Sequence, residues 1–592
     1  MKKLLRYLTE GYLKETILSP LFKCIEAVLE LFVPIVVADM IDSGIRFGDE
    51  GVVIRSCVLL VCLALAGLAF SITAQYFAAK AATGFSRTVG NALFRHIQSL
   101  SYSDLDEIGT STLMTRMTSD LNQVQTGVNM TLRLLLRSPF IVFGAMIMAF
   151  TIDVPSALIF VCTIPVLSVV VFGIMLAGIK LYGKVRGGLD KLLRRTRENL
   201  NGSRVIRAFC MEEREISAFR ADNDSLTHDQ LVSGRISALM NPLTFVLINI
   251  AVVILIWQGA LRVEEGILTQ GAVIALYNYM SQILVELIKL AGLIITITKA
   301  AACGKRIQTV LDGGEGMPEG TRAEGDPDAQ YAVEFRHVDL CYRSAAENTL
   351  TGISFTAKRG DVIGVIGGTG SGKSSLVNLI PRFYDVTGGE VLIDGTNVKE
   401  YNTEALRSKI GVVPQKAVLF KGTVRENMKW RDENATDEEI FSALDIAQAR
   451  EIIDSKPNGL DTAVEQGGRN FSGGQRQRLT IARALVGSPE IVILDDSASA
   501  LDFATDAALR KALRKLENTT VFIVSQRTSS IMHADRIIVL DDGHAVGVGT
   551  HAELLEACPA YRAMVEADRA RSRWVLSNMP ETVGLNAENG EE

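Results

Sequence analysis

The sequence predicts two folds in one chain: an all-α six-helix membrane domain with long cytosolic helix extensions, and an α/β P-loop domain fused behind it. Three observations predict this. Mean hydropathy is +0.23, although 22% of the 592 residues are charged, which fits an apolar half joined to a soluble half. Six long apolar segments occupy the N-terminal half. Beyond them, "VIGVIGGTGSGKSS" places a glycine-rich phosphate-binding pattern directly after an apolar, strand-like run.

The apolar segments lie at roughly 16–43, 53–82, 135–153, 155–179, 238–261 and 271–299, each near the ~20 helical residues that cross the hydrocarbon. Six crossings return both termini to one side. The long connection after the fourth segment carries Lys184, Arg186, Lys191, Arg194, Arg195, Arg197, Arg204 and Arg207, while the short loops offer little beyond Arg46 and Arg262. That bias places the long connections and both termini in the cytosol of a multi-pass cell-membrane protein. The opening "MKKLLRYLTEGYLKE" is amphipathic and basic, more like a helix lying on a bilayer surface than a cleavable signal.

Ionisable residues inside such spans call for a function or a partner. Lys23, Glu26 and Glu30 share one face of the first span, and Glu286 and Lys289 form an i, i+3 pair in the last. Glu26 and Glu30 are candidates to line a substrate cavity; an internal ion pair is the equal alternative. Asn241-Pro242 is expected to kink the fifth span.

Between spans, helical periodicity continues past the hydrocarbon and breaks at "SYSDLDEIGTS" and near "NGSRVIRAF". Each long connection therefore reads as two extended helices meeting at a cytosolic turn. Residues 1–310 form the membrane domain on this reading, 311–330 a Gly/Glu/Asp/Pro-rich linker, 331–575 the α/β domain, and 576–592 an acidic, disordered tail. A net charge of −6 without basic clustering argues against nucleic acid as a partner. The eight cysteines are scattered without a CxxC pair, so they read as reduced packing residues.

Gly367, Gly368, Thr369, Gly370, Ser371, Gly372, Lys373, Ser374 and Ser375 are the P-loop candidates. Glycines let backbone N–H groups close on phosphate oxygens, Lys373 would reach the β- and γ-phosphates of ATP, and Ser374 would ligate Mg²⁺. "IVILDD" then ends a second apolar run at Asp495 and Asp496. An acid pair after a strand is usually a turn; paired with a P-loop upstream, Asp495 suits Mg²⁺.

With these motifs in place the chain resembles the ATP-binding cassette (ABC) transporters, and in particular the exporters that fuse six spans to one cassette. Its most specific mark is "NFSGGQRQRLTIARAL", similar to the family's LSGGQ signature and its helix. The resemblance implies that Ser472, Gly473, Gly474 and Gln475 close on the γ-phosphate of a partner's ATP. It implies that Tyr342 stacks on adenine, that Gln415 senses Mg²⁺, and that Ser499 and Asp502 belong to the loop crossing between cassettes.

The resemblance also implies defects. The family's general base, a Glu, is here Asp496, one methylene shorter, and its γ-phosphate His is here Gln526, which carries no charge. Cassettes of the family pair head to tail, each ATP being held by one P-loop and the opposite signature. Both substitutions fall on the site built on this chain's own P-loop, while its signature is sound. The expected protein is one subunit of a heterodimeric exporter of a small molecule, lipid or peptide. Its own site binds ATP but hydrolyses it poorly; its signature completes the partner's competent site. A homodimer with two slow sites and an ATP-gated switch or channel are the alternatives.

Overall fold

The structure is a computed structural model that describes residues 2–314, 316–343, 345–497 and 500–577. Two compact units emerge, Met1–Ser99 with Thr110–Gly313, and Leu100–Gly109 with the chain from Gly314 onward. The expected tail lies outside the described residues, except that residues 576 and 577 close the last helix, Pro559–Ser577.

The long helices are α1 (Lys2–Asp39) and α2 (Glu50–Ser99), followed by the short α3 (Tyr102–Ile108), which belongs to the second unit. Next come α4 (Thr110–Thr115), α5 (Leu121–Leu134), α6 (Arg137–Ile152), α7 (Val154–Asn201), α8 (Ser203–Ala208), α9 (Glu212–Ala238), α10 (Met240–Glu264) and α11 (Gln270–Asp312). Both expected breaks fall where the glycine and capping residues put them. Ser101 caps α3 with a reciprocal Asp104 bond, Gly109 ends it at φ +77°, and Gly202 separates α7 from α8. The fifth span is interrupted at Leu239, between α9 and α10, and Pro242 sits in the first turn of the new helix, where its missing N–H costs no bond.

Among the described residues, five stretches are long and apolar enough to cross a membrane: α2, Thr110–Ile152, α7, Glu212–Glu264 and α11. The 38-residue α1 differs from them because Lys23, Glu26 and Glu30 interrupt its apolar run. The outward stripe of α2 shows what surrounds this unit. Ile54, Val58, Val61, Leu65, Leu68 and Ile72 follow one helix face, and each is more than half exposed. Water would penalise that stripe residue by residue, whereas hydrocarbon does not. The interior face packs closely through small residues. A Cβ on Gly127 would stand 2.2 Å from the Ala300 Cβ, so α5 and α11 approach at a distance only glycine permits.

Charge inside this unit is paired. Arg137, buried at the start of α6, donates to Glu30 at 2.6 Å and to Glu286 at 2.7 Å. Glu286 also accepts from Ser138 and from Lys289, both at 2.8 Å. Lys23 donates to Glu26 at 2.5 Å and to Ser71 at 3.0 Å. Three helices are thus tied by one guanidinium, whose planar fork can serve two carboxylates at once.

The second unit is a three-sheet α/β domain. A four-stranded antiparallel sheet runs β2–β1–β4–β5, formed by β1 (Val333–Leu340), β2 (Leu350–Ala357), β4 (Gly388–Ile393) and β5 (Thr396–Asn397). The six-stranded sheet runs β12–β11–β3–β10–β9–β6. Its strands are β3 (Val362–Gly367), β6 (Ile410–Val413), β9 (Ile491–Asp495), β10 (Thr520–Val524), β11 (Arg536–Asp541) and β12 (His544–Gly549). The pairings β6–β9, β9–β10, β10–β3 and β3–β11 are parallel, and β12 closes the edge antiparallel. Every residue of β3, β9 and β10 is buried, as a parallel sheet covered on both faces requires. A small ribbon pairs β7 (Gly422–Thr423) with β8 (Ala463–Val464).

The buried network in the membrane unit yields a prediction. Arg137→Leu should lower the thermal unfolding midpoint of the detergent-solubilised protein, because removing one partner of a buried ion pair costs about 3–5 kcal/mol. The double variant Arg137→Leu with Glu286→Leu should lose less than the sum of the two singles, as coupled partners do. Additive losses would show that the pair is not coupled.

Candidate functional site

The carboxyl ends of four neighbouring parallel strands bring the candidate residues together. β3 runs into the P-loop, β9 ends at Asp495, β10 leads into Ser525 and Gln526, and β6 leads to Gln415. The register sets Val524, the end of β10, beside Asp495, the end of β9, and beside Val365, from which β3 runs two residues further into the P-loop. This is where open α/β sheets bind ligands.

The loop's shape follows from its glycines. A Cβ on Gly367 would lie 2.2 Å from the Leu540 carbonyl oxygen, and one on Gly372 would lie 2.7 Å from a Leu350 methyl. Gly370 and Gly372 take φ of +85° and +93°, a region that side chains rarely enter. The bend then leads into the helix Lys373–Asn378.

A cavity of about 230 Å³ opens on this bend, lined by Thr369, Gly370, Gly372, Lys373, Ser374, Ser375, Gln415, Asp495, Asp496, Ser525 and Gln526, with Thr349 and Val524. The Ser374 hydroxyl donates to Asp495 at 3.0 Å. Lys373 donates to the carbonyls of Gly367 at 3.0 Å and Gly368 at 2.6 Å. Gln415 Nε2 lies 3.4 Å from a carboxylate oxygen of Asp496, which itself sits at φ +47°. Asp is among the few non-glycine residues that tolerate this conformation.

Burial pushes the Asp495 carboxyl above its ordinary range, and Asp496 adds to the rise against the Ser374 bond and Lys373. Burial likewise lowers the Lys373 ammonium, although Asp496 and Asp495 oppose this. The Ser371 hydroxyl is buried without a protein partner. A desolvated acid, a desolvated lysine and an orphaned hydroxyl around glycine amides fit a bound phosphate chain and a hard cation. Ser374, Asp495 and Gln415 supply the oxygen donors that Mg²⁺ takes.

The remaining candidates lie apart from this cavity. Tyr342 does not line it, but its hydroxyl donates to Ser375 at 2.8 Å. Ser472 caps the helix Gly473–Leu485, its hydroxyl accepting from the Gln475 N–H at 3.3 Å while Gln475 accepts from the Ser472 N–H at 3.0 Å. Ser472 and Gly473 are exposed at that helix start. Asp502 caps the helix Phe503–Leu513 through Thr505, and Ser499 lies outside the described residues. In the membrane unit Glu30 is held by Arg137, and Glu26 by Lys23.

Sequence reasoning missed three participants. Ser525 directly precedes Gln526 and could have been found from the strand end. Thr349 has no sequence signal, since it arrives from the turn before β2. Arg137 is a lone cation heading an apolar run, which was a usable signal.

The raised Asp495 carboxyl makes a prediction with a defined sign. A folded-state pKa above the unfolded value means that ionisation opposes folding. The penalty is absent at acid pH, grows as pH rises through the carboxylate range, and is complete at neutral pH. Asp495→Asn should therefore raise the unfolding midpoint of the nucleotide-free protein at pH 7 and leave it unchanged near pH ~3, below the ordinary carboxylate value. The same variant should lose the stabilisation that Mg²⁺-ATP gives. Equal midpoints at pH 7 would mean that burial does not strain this acid.

The comparisons with known proteins agree with the two-part architecture. Residues 16–287 match the ABC transporter transmembrane region, and residues 350–499 match the ABC transporter family's ATP-binding part. An uncharacterized ABC transporter ATP-binding protein of Mycobacterium tuberculosis is 36% identical over 564 residues, covering 94% of this chain and 96% of the relative. An ATP-dependent lipid A-core flippase of Syntrophus aciditrophicus is 33% identical over 469 residues, covering 78% and 77%. A solved bacterial Atm1-family ABC exporter with ATP bound shares the fold at a TM-score of 0.74 and 21% identity, covering 98% of this chain and 100% of that one. With two family regions matched in order and a relative this similar along nearly its whole length, the chain belongs to the ABC transporters, with a transmembrane and an ATP-binding domain in a single polypeptide.

Proposed function

We propose that the chain is one subunit of an ATP-driven exporter that moves a small molecule, lipid or peptide across the cell membrane, with both termini and the ATP-binding domain in the cytosol. The carrying observation is that Asp496 and Gln526 line the P-loop cavity while the intact Ser472–Gln475 cap stands on a separate, exposed helix start. The lipid A-core flippase among the relatives supports transport of an amphiphilic cargo.

In the proposed cycle Gly367–Ser374 hold the phosphates of ATP and Lys373 leaves its two carbonyl partners for the β- and γ-phosphates. Mg²⁺ held by Ser374, Asp495 and Gln415 would neutralise charge between those phosphates. Asp496, beside Asp495 on the cavity wall, is the acid that would take a proton from attacking water, and it is one methylene shorter than the family's Glu. Gln526 can hydrogen-bond the γ-phosphate but adds no positive charge. Positioned contacts of this kind are each worth about 10²–10³-fold in rate, so this site binds ATP and cleaves it slowly. The Ser472–Gln475 helix start presents N–H groups to the γ-phosphate of the partner's ATP, and hydrolysis there resets the pump. In the membrane domain α1 joins the five apolar stretches as a sixth crossing, and Glu30, whose side chain is 40% exposed, faces the transport path.

Two measurements test the reading. A tagged pull-down from native membranes should recover a stoichiometric second ABC half-transporter carrying Glu and His at the matching positions. Recovery of this chain alone would replace the heterodimer by a homodimer of two slow sites. In the assembled transporter with the partner's competent site silenced, Asp496→Glu with Gln526→His should raise the remaining ATP turnover by at least about tenfold, part of the range one such contact supplies. Glu tolerates the left-handed backbone at 496 less well than Asp, so a stability loss of about 1 kcal/mol should accompany the gain. Flat turnover would remove the explanation of the slow site.

A further inference from the structure

The segment Leu100–Gly109 belongs to the second unit, and its side chains there meet Arg343, Phe383 and Tyr384. Asp104, buried on α3, accepts from Arg343 at 2.6 Å. Burial opposes its ionisation, but the Ser101 and Arg343 bonds prevail and hold its carboxyl below the usual range. Two residues on, Asp106 accepts from the Tyr384 hydroxyl at 2.7 Å. The Tyr384 ring meets Tyr342 edge to face, with centroids 5.0 Å apart and planes at 88°. Tyr342 in turn donates to Ser375, in the helix that follows the P-loop. Tyr102 completes the attachment by stacking on Phe383 at 4.5 Å.

An unbroken series of contacts therefore runs from Asp106 through Tyr384 and Tyr342 to Ser375. Neither Asp106 nor Tyr384 lines the phosphate cavity, so neither is needed to hold triphosphate. Edge-to-face pairs have a preferred geometry, and a ring held this way loses freedom about its Cα–Cβ bond. With Tyr384 fixed by a charged acceptor, the Tyr342 ring is held at one angle beside the P-loop helix.

We propose that Tyr384, anchored by Asp106 of the cytosolic turn, is a positioning residue that sets the Tyr342 ring for the adenine base, so that the turn controls base binding at this chain's own site. The inference rests on the reading of Tyr342 and the P-loop as a nucleotide site. Because coupling between sites is reciprocal, adenine on Tyr342 strengthens the hold of Tyr384 on Asp106. The second bond, Arg343 to Asp104, keeps the turn in place while the ring contact responds.

The test uses the full-length protein in lipid nanodiscs, with its partner where it has one, and two probes: Mg²⁺-ATP and Mg²⁺-tripolyphosphate, which lacks the base. Tyr384→Phe keeps the ring and removes only the hydroxyl. It should weaken ATP binding about three- to tenfold, the range of one hydrogen bond, and leave tripolyphosphate binding unchanged. Asp106→Ala should reproduce this selective loss, and Tyr384→Phe added to Tyr342→Ala should cause no further loss, since both act through one ring. An ATP affinity that Tyr384→Phe leaves at the wild-type value would overturn the proposal, as would equal losses for both probes, which signify general disruption. Lys373→Ala separates the two levels. If it leaves ATP binding intact, the nucleotide reading of the site falls and the positioning role falls with it.

Discussion

The ATP-binding domain depends on a bend that no side chain can enter. β3 is buried along its whole length between β10 and β11, and at its end a Cβ on Gly367 would collide with the Leu540 carbonyl. The strand cannot slide, because a one-residue slip would break two parallel ladders and drive a side chain into that backbone. The loop beyond is thereby held against its backbone neighbours. Lys373 and Ser374 follow the bend directly, and Asp495 at the end of β9 accepts from Ser374 because β9 lies one strand from β3, across β10. Such preorganisation is what lets backbone dipoles stabilise phosphate charge without reorganising during reaction.

Desolvated charge is handled in opposite ways in the two units. At the nucleotide site, Asp495 and Lys373 are both pushed toward their neutral forms by burial, and their protein neighbours only partly compensate. Such a site is unfavourable when empty and improves when phosphate and a cation bind. In the membrane unit the acids have a resident cation. Arg137 serves Glu30 and Glu286 together, and Lys289 gives Glu286 a second partner. Those charges contribute to joining helices far apart in sequence, whereas the ATP-binding domain holds strain that a ligand relieves.

The architecture was readable in the sequence because both halves have strong, different periodicities. Apolar length marked the membrane helices, and a glycine pattern after a β-branched run marked the P-loop. The breaks at Gly109 and Gly202 were legible for the same reason, since local chemistry fixes a helix end. Less legible were partners that topology alone brings together. Nothing near Thr349 announces a nucleotide cavity, and the fork of Arg137 onto Glu30 and Glu286 spans 107 and 149 residues. The particular partners of Tyr102, Asp104 and Asp106 in the second unit were also hidden. Those residues read locally as a helix cap and a turn, and their partners Phe383, Arg343 and Tyr384 lie more than 200 residues away, as Arg343 and Tyr384 show at separations of 239 and 278.

The setting of Asp496 bears on whether its site is decayed or built. A decaying position would be expected to leave misfit around it, yet this one is well accommodated. Its backbone lies at φ +47°, where Asp carries less strain than the longer acid it replaces. Its carboxylate is within 3.4 Å of Gln415, the residue proposed to hold the cation. Gln526 stands on the same cavity wall and can still donate to a phosphate oxygen. On the proposed reading, the cavity keeps the groups assigned to nucleotide binding, namely the glycine bend, Lys373, Ser374 and Asp495, and departs in the two assigned to water attack. Binding and turnover are separable because binding uses contacts made in the ground state, while turnover needs contacts that strengthen in the transition state. A site that keeps the first set and weakens the second is suited to holding ATP for long periods, which supports a division of labour between two unlike halves.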